Sequence, residues 1–91
     1  MISDHLILET IRKAFPQFEL AAERYGVLYN VSIYTEHEWY QFDIVKEGVG
    51  LTYRKTDEID FSDSDIAFDT LEQAINFLIN YRASEENLTN R

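Results

Sequence analysis

Apolar residues change their spacing along this chain, and the changes mark the elements. Over residues 3–15, Ile7, Ile11, Ala14 and Phe15 recur at i, i+4, i+7 and i+8, with Leu8 on the flank. That stripe predicts a helix. Ser3 or Asp4 can cap its start, Asp4 and Glu9 lie toward the positive end of its dipole, and Arg12 and Lys13 fall in its last turn. Pro16 stops it, because the residue before a proline is pushed out of the α region.

The following segment, "FELAAERYG", fits two spacings. Phe18, Ala21, Ala22 and Tyr25 suit a helix, whereas Phe18, Leu20 and Ala22 alternate as a strand. The strand is favoured, because β structure follows and "ERYG" suits a hairpin turn with Gly26 at positive φ. Residues 27–34 alternate, with Val27, Tyr29, Val31 and Ile33 on one side and Leu28, Asn30, Ser32 and Tyr34 on the other. "TEHE" connects to residues 39–45, where Tyr40, Phe42 and Ile44 oppose Trp39, Gln41, Asp43 and Val45. After "KEGVG", residues 49–55 place Val49, Leu51 and Tyr53 together. Three period-two runs joined by short turns make an antiparallel meander, since parallel pairing needs a crossover of about a dozen residues.

Toward the C-terminus, Asp69 with Glu72, or Thr70 with Gln73, offers a capping box. Leu71, Ala74, Ile75, Leu78 and Ile79 then form a broad helical face flanked by Phe77 and Tyr81. A stripe this wide suits packing on a sheet. The expected fold is therefore α+β: a two-layer sandwich with an N-terminal helix, a three- or four-stranded antiparallel meander and a C-terminal helix. One domain over 1–83 and a polar tail over 84–91 complete the expectation. The helix–three strands–helix order resembles that of double-stranded RNA-binding domains. The resemblance is topological only: the region matching their basic phosphate-contacting positions is acidic here, so RNA binding does not come with it.

Composition narrows the function classes. The 91 residues carry 17 acids against 8 bases, a net charge of −9, and no cysteine. Direct nucleic-acid binding needs a basic footprint and anionic membrane surfaces attract basic segments, so both are disfavoured. Lack of cysteine removes disulfides, thiolate metal sites and cysteine nucleophiles, and fits a reducing cytoplasm. The N-terminal residues have neither the basic flank of a signal peptide nor the apolar length of a membrane span.

The charge is uneven. Residues 56–81 hold seven acids and no base, most densely in "DEIDFSDSDIAFDT". Registers starting at Asp60 and at Asp63 both fail to place oxygen ligands, glycine and the final glutamate as an EF-hand loop requires; clustered carboxylates can still bind a divalent ion loosely, but no specific metal site and no cofactor is expected. Its Ile59, Phe61, Ile66 and Phe68 are expected to tether the chain to the core. That leaves Asp57, Glu58, Asp60, Asp63 and Asp65 without an evident structural task, as candidate contacts for a basic partner. A second candidate is the sheet face not covered by helices. Tyr34 and Trp39 flank one turn there, and aromatic anchors of this kind are enriched at binding hot spots. Glu36, Glu38 and Asp43 are expected to form an acidic rim around them. His5 and His37 have no cysteine and no carboxylate at a catalytic-motif spacing, and no nucleophile elbow, phosphate-binding glycine loop or zinc-helix motif is present. The resulting expectation is a non-enzymatic, cytoplasmic interaction protein of the antitoxin, immunity or nucleic-acid-mimic kind. The alternative is a homodimeric or housekeeping module that uses the open sheet face or an edge strand, its charge serving solubility.

Overall fold

A computed structural model describes residues 3–54 and 64–89. Helix α1 spans Asp4–Ala14, strands β1 to β5 span Glu19–Tyr25, Leu28–Tyr34, Trp39–Val45, Gly48–Thr52 and Ile66–Phe68, and helix α2 spans Leu71–Thr89. The strands form one antiparallel sheet in the order β1-β2-β3-β4-β5. The α+β meander expected from the sequence is present, with a fifth strand added. Strand β5 has only three residues, too few for periodicity to mark it, and depends on long-range pairing of Val49 with Phe68 and Leu51 with Ile66.

Local chemistry explains the boundaries. Ser3 is the cap of α1, its Oγ accepting from the Leu6 amide at 3.2 Å, and the chain leaves the helix at Phe15, before Pro16. The ambiguous segment is strand β1, closed against β2 by a turn at Gly26 and Val27. Gly26 has φ +59°, where a side chain would be strained. The turn takes Val27 out of the expected apolar row, leaving it 86% exposed. Helix α2 is capped by Thr70 rather than Asp69. The Thr70 Oγ1 accepts from the Gln73 amide, and Gln73 Oε1 accepts from the amides of Asp69 and Thr70. The helix then runs through the segment expected as a tail, which contains neither glycine nor proline to end it before Thr89.

Both helices cover one face of the sheet. Ile7, Ile11 and Phe15 of α1 and Ala74, Ile75 and Leu78 of α2 share a core with Tyr29, Val31, Ile33, Tyr40, Phe42, Val49 and Leu51. Ile79, expected in the α2 face, is 43% exposed. The side of the helix used instead carries Phe77 and Tyr81, whose rings lie 5.0 and 4.8 Å from that of Tyr53. A polar latch closes the layers: Arg82 of α2 donates twice to Glu38, at 2.8 and 3.2 Å, and the Tyr40 hydroxyl donates to the same carboxylate at 2.6 Å. No helix among the described residues is long and apolar enough to cross a membrane.

Candidate functional site

Among the described residues, the second face of the sheet carries no helix, and strand register states which residues share it. Directly opposed antiparallel residues point to the same side. One row therefore runs Glu19, Tyr34, Trp39, and the next Ala21, Ser32, Gln41, Thr52. A third runs Glu23, Asn30, Asp43, Gly50, Ala67, and beyond it lie the pairs Tyr25–Leu28 and Val45–Gly48. Tyr34 and Trp39 are thus cross-strand partners, as their places beside the Thr35–Glu38 turn imply. Trp39 is 42% exposed and Tyr25 57% exposed.

Asp43 organises the middle of this face. Its Oδ1 accepts from Asn30 Nδ2 at 2.7 Å and Gln41 Nε2 at 3.1 Å, and its Oδ2 accepts from Ser64 Oγ at 3.1 Å. Gly50, opposite Asp43, makes room for that last contact. A Cβ there would collide with the Ser64 side chain. The residue that follows the acidic stretch 57–63 therefore rests on the open face.

The charge on these strand positions has one sign. They hold Glu19, Glu23 and Asp43 and, among the described residues, no lysine or arginine. Each of the described arginines pairs with a carboxylate. Arg12 pairs with Glu9 at 2.8 Å, Arg24 with Asp4, Arg54 with Asp65 at 3.8 Å, and Arg82 with Glu38 at 2.8 Å. Arg24 also lies over the Tyr29 ring and Arg82 over Phe18. The hydrogen bond between Arg24 and Asp4 holds the Asp4 carboxyl below its ordinary range and raises the guanidinium further. Internal pairing thus consumes cations and leaves the open face acidic. Carboxylates can accept a guanidinium through two parallel hydrogen bonds, and aromatic faces attract cations.

Comparison with protein-family models, curated proteins and solved structures returned no match.

The residues singled out from the sequence separate into three groups. Asp57, Glu58, Asp60 and Asp63, with Ile59 and Phe61, lie outside the described residues. Asp65, thought to have no structural task, closes the base of the β4–β5 connection. Its Oδ2 accepts from the amides of Tyr53 and Arg54, both at 2.9 Å, and its own amide donates to Leu51 O at 3.0 Å. Ile66 and Phe68 pack against the core as tethers. Of the expected rim, Asp43 is on the open face, Glu36 is exposed in the turn, and Glu38 belongs to the Arg82 latch. Glu19 and Glu23 were not singled out; their signal was the alternation of "ELAAERY", usable once that segment is a strand. Among the described residues, no group of three or more His, Asp or Glu is placed to hold a metal ion.

Proposed function

We propose that this protein is a small acidic interaction protein that binds a basic protein surface, as antitoxin, immunity or nucleic-acid-mimic inhibitors do, with the open sheet face as its contact surface. The single observation that supports this reading is the make-up of that face: Glu19, Glu23 and Asp43 interleave with Tyr25, Tyr34 and Trp39, without a base among the described strand positions of that face. A positively charged partner is drawn by the carboxylates and anchored on the aromatic rings. The Asp43 network holds its carboxylate in place through three donors, which limits the side-chain entropy lost on contact. Nucleic acid is not the ligand in this reading, given net −9. The setting is the cytoplasm, and catalysis is not part of the role.

The test is retention of partners by the immobilised protein at about 0.05 M and about 0.5 M salt, where the Debye length falls from roughly 14 Å to roughly 4 Å. Basic proteins retained at low salt and lost at high salt support the reading. Absence of any basic partner, or indifference to salt, overturns it.

A further inference from the structure

The two edges of the sheet are unequal. Strand β5 is a three-residue edge, whereas β1 presents seven residues, pairs with β2 without a bulge, and has neither lysine nor proline. Six of its residues are exposed and Leu20 is half-buried, so neither the helix layer nor a loop among the described residues covers it. Sheets ordinarily blunt such an edge with charges, proline, bulges or a covering segment, because its outward amides and carbonyls are a template for another strand, and of these β1 carries only the charges of Glu19, Glu23 and Arg24.

The hairpin phase states which groups point outward. In a hairpin closed by two residues, the flanking pair exchanges both backbone hydrogen bonds. Here that pair is Tyr25 and Leu28, so odd-numbered β1 residues bond to β2, and Leu20, Ala22 and Arg24 direct their backbone groups outward. A second copy related by a two-fold axis perpendicular to the sheet can then join β1 to β1 with Ala22 facing Ala22. In that register Glu19 faces Tyr25, Leu20 faces Arg24 and Ala21 faces Glu23 of the other copy. No like charges stand directly opposite. A shift of one pairing step in one direction puts Glu19 against Glu23 twice, and in the other puts Glu23 against Glu23. Opposed like charges destabilise a strand pair. Arg24 does not oppose the join with a bare charge, since Asp4 of its own chain pairs with it. Tyr25, more than half exposed in the single chain, gains Glu19 as its cross-strand neighbour.

We infer that the protein forms a homodimer by antiparallel pairing of β1 with β1 about Ala22, merging two five-stranded sheets into one. The two-fold axis sets both helix layers on one side and both acidic open faces on the other. The inference stands apart from the proposed binding of a basic partner, and its salt dependence has the opposite sign. Glu23 of the two copies become diagonal neighbours about 7–8 Å apart. Each chain also brings a net −9, so screening strengthens the dimer.

The absence of native cysteine permits a direct reading of register. Single variants Ala21→Cys, Ala22→Cys and Glu23→Cys are oxidised with a mild disulfide catalyst, and sedimentation velocity follows the wild type across salt. Directly opposed, hydrogen-bonded Cα atoms lie about 5.5 Å apart, within disulfide reach. The expected result is a dimer that increases with protein concentration and with salt, and cross-linking several-fold faster at position 22 than at 21 or 23. Ala22→Pro removes an outward amide that a free edge does not use, so the variant is expected to fold and remain monomeric. A monomer at all concentrations with no preference for position 22 overturns the inference, and faster cross-linking at position 21 or 23 overturns the register. An Ala22→Pro protein with native circular dichroism that still dimerises overturns the edge assignment. Loss of the dimer leaves partner retention at low salt unaffected as a separate readout, so either reading can fail alone.

Discussion

Glu38→Gln probes how the C-terminal helix is held to the sheet. Glu38 accepts from Arg82 Nε at 2.8 Å, Arg82 Nη2 at 3.2 Å and the Tyr40 hydroxyl at 2.6 Å. The substitution keeps the volume, removes the charge and leaves one acceptor oxygen for donors that now share two. Fully exposed ion pairs contribute about 0.2–1 kcal/mol, and hydrogen bonds to charged groups about 1.5–3 kcal/mol. The two side chains are 33% and 32% exposed, which places this pair between those limits. The expected loss is about 1–2 kcal/mol after that screening is allowed for. In a domain of this size it corresponds to a fall of roughly 5–15 °C in the unfolding midpoint. Thermal and urea unfolding followed by circular dichroism measure it. A double-mutant cycle with Arg82→Met, which keeps an apolar stem beside Phe18, isolates the coupling. Refutation is clear-cut: a Glu38→Gln midpoint unchanged from wild type, or a cycle additive within about 0.3 kcal/mol, means the latch contributes nothing.

Tyr40 gives a pH test. Burial first, then its hydrogen bond to Glu38, pushes its hydroxyl pKa well above the ordinary tyrosine value. Because the folded value is the higher one, this stability is full below about pH 10 and declines above it by up to about 1.4 kcal/mol per pH unit. Tyr40→Phe should flatten the decline in urea midpoints between pH 9 and pH 11, and an unchanged slope contradicts the assignment. Gly48→Ala should destabilise by about 1–3 kcal/mol, because a Cβ there meets the Phe68 carbonyl oxygen at 2.5 Å and backbone must move. Gly50→Ala clashes with the Ser64 side chain and makes only ordinary contact with Asp43 Cβ at 3.8 Å, so Ser64→Gly should recover most of its loss in the same urea assay, and failure to recover contradicts the contact. Phe42→Ala, in the fully buried core, should cost about 3–5 kcal/mol, whereas Trp39→Ala on the open face should cost under about 1 kcal/mol. Equal losses would mean that the open face is not open.

Legibility in the sequence followed the range of the interactions. Helix α1 and strands β2 to β4 were visible because each is long enough for its period to repeat, and Pro16 and Gly26 punctuate them through their own backbone limits. Tyr34 and Trp39 could be paired because one short turn joins them. Strand β5 could not be seen, since Ile66 and Phe68 become strand only by pairing with β4. The structural tasks of Glu38 and Asp65 are hidden for a related reason. Glu38 is claimed by Arg82, 44 residues away, and Asp65 by amides of Tyr53 and Arg54, across the connection. A carboxylate looks unoccupied in sequence whenever its donors come from distant segments. Glu19 and Glu23 waited on one decision, whether "ELAAERY" is strand or helix.

In the proposed function the open sheet face, rather than overall charge, selects the basic partner. A charge-matched comparison tests it most directly. Glu19→Gln with Glu23→Gln neutralises the face, while Glu47→Gln with Glu72→Gln removes the same charge from exposed positions in the β3–β4 turn and on α2. Dissociation constants for the partner retained at low salt are then measured for both variants. The face variant should bind about fivefold to thirtyfold more weakly, equivalent to roughly 1–2 kcal/mol, and the control within about twofold of wild type. Equal weakening by both variants would contradict the claim.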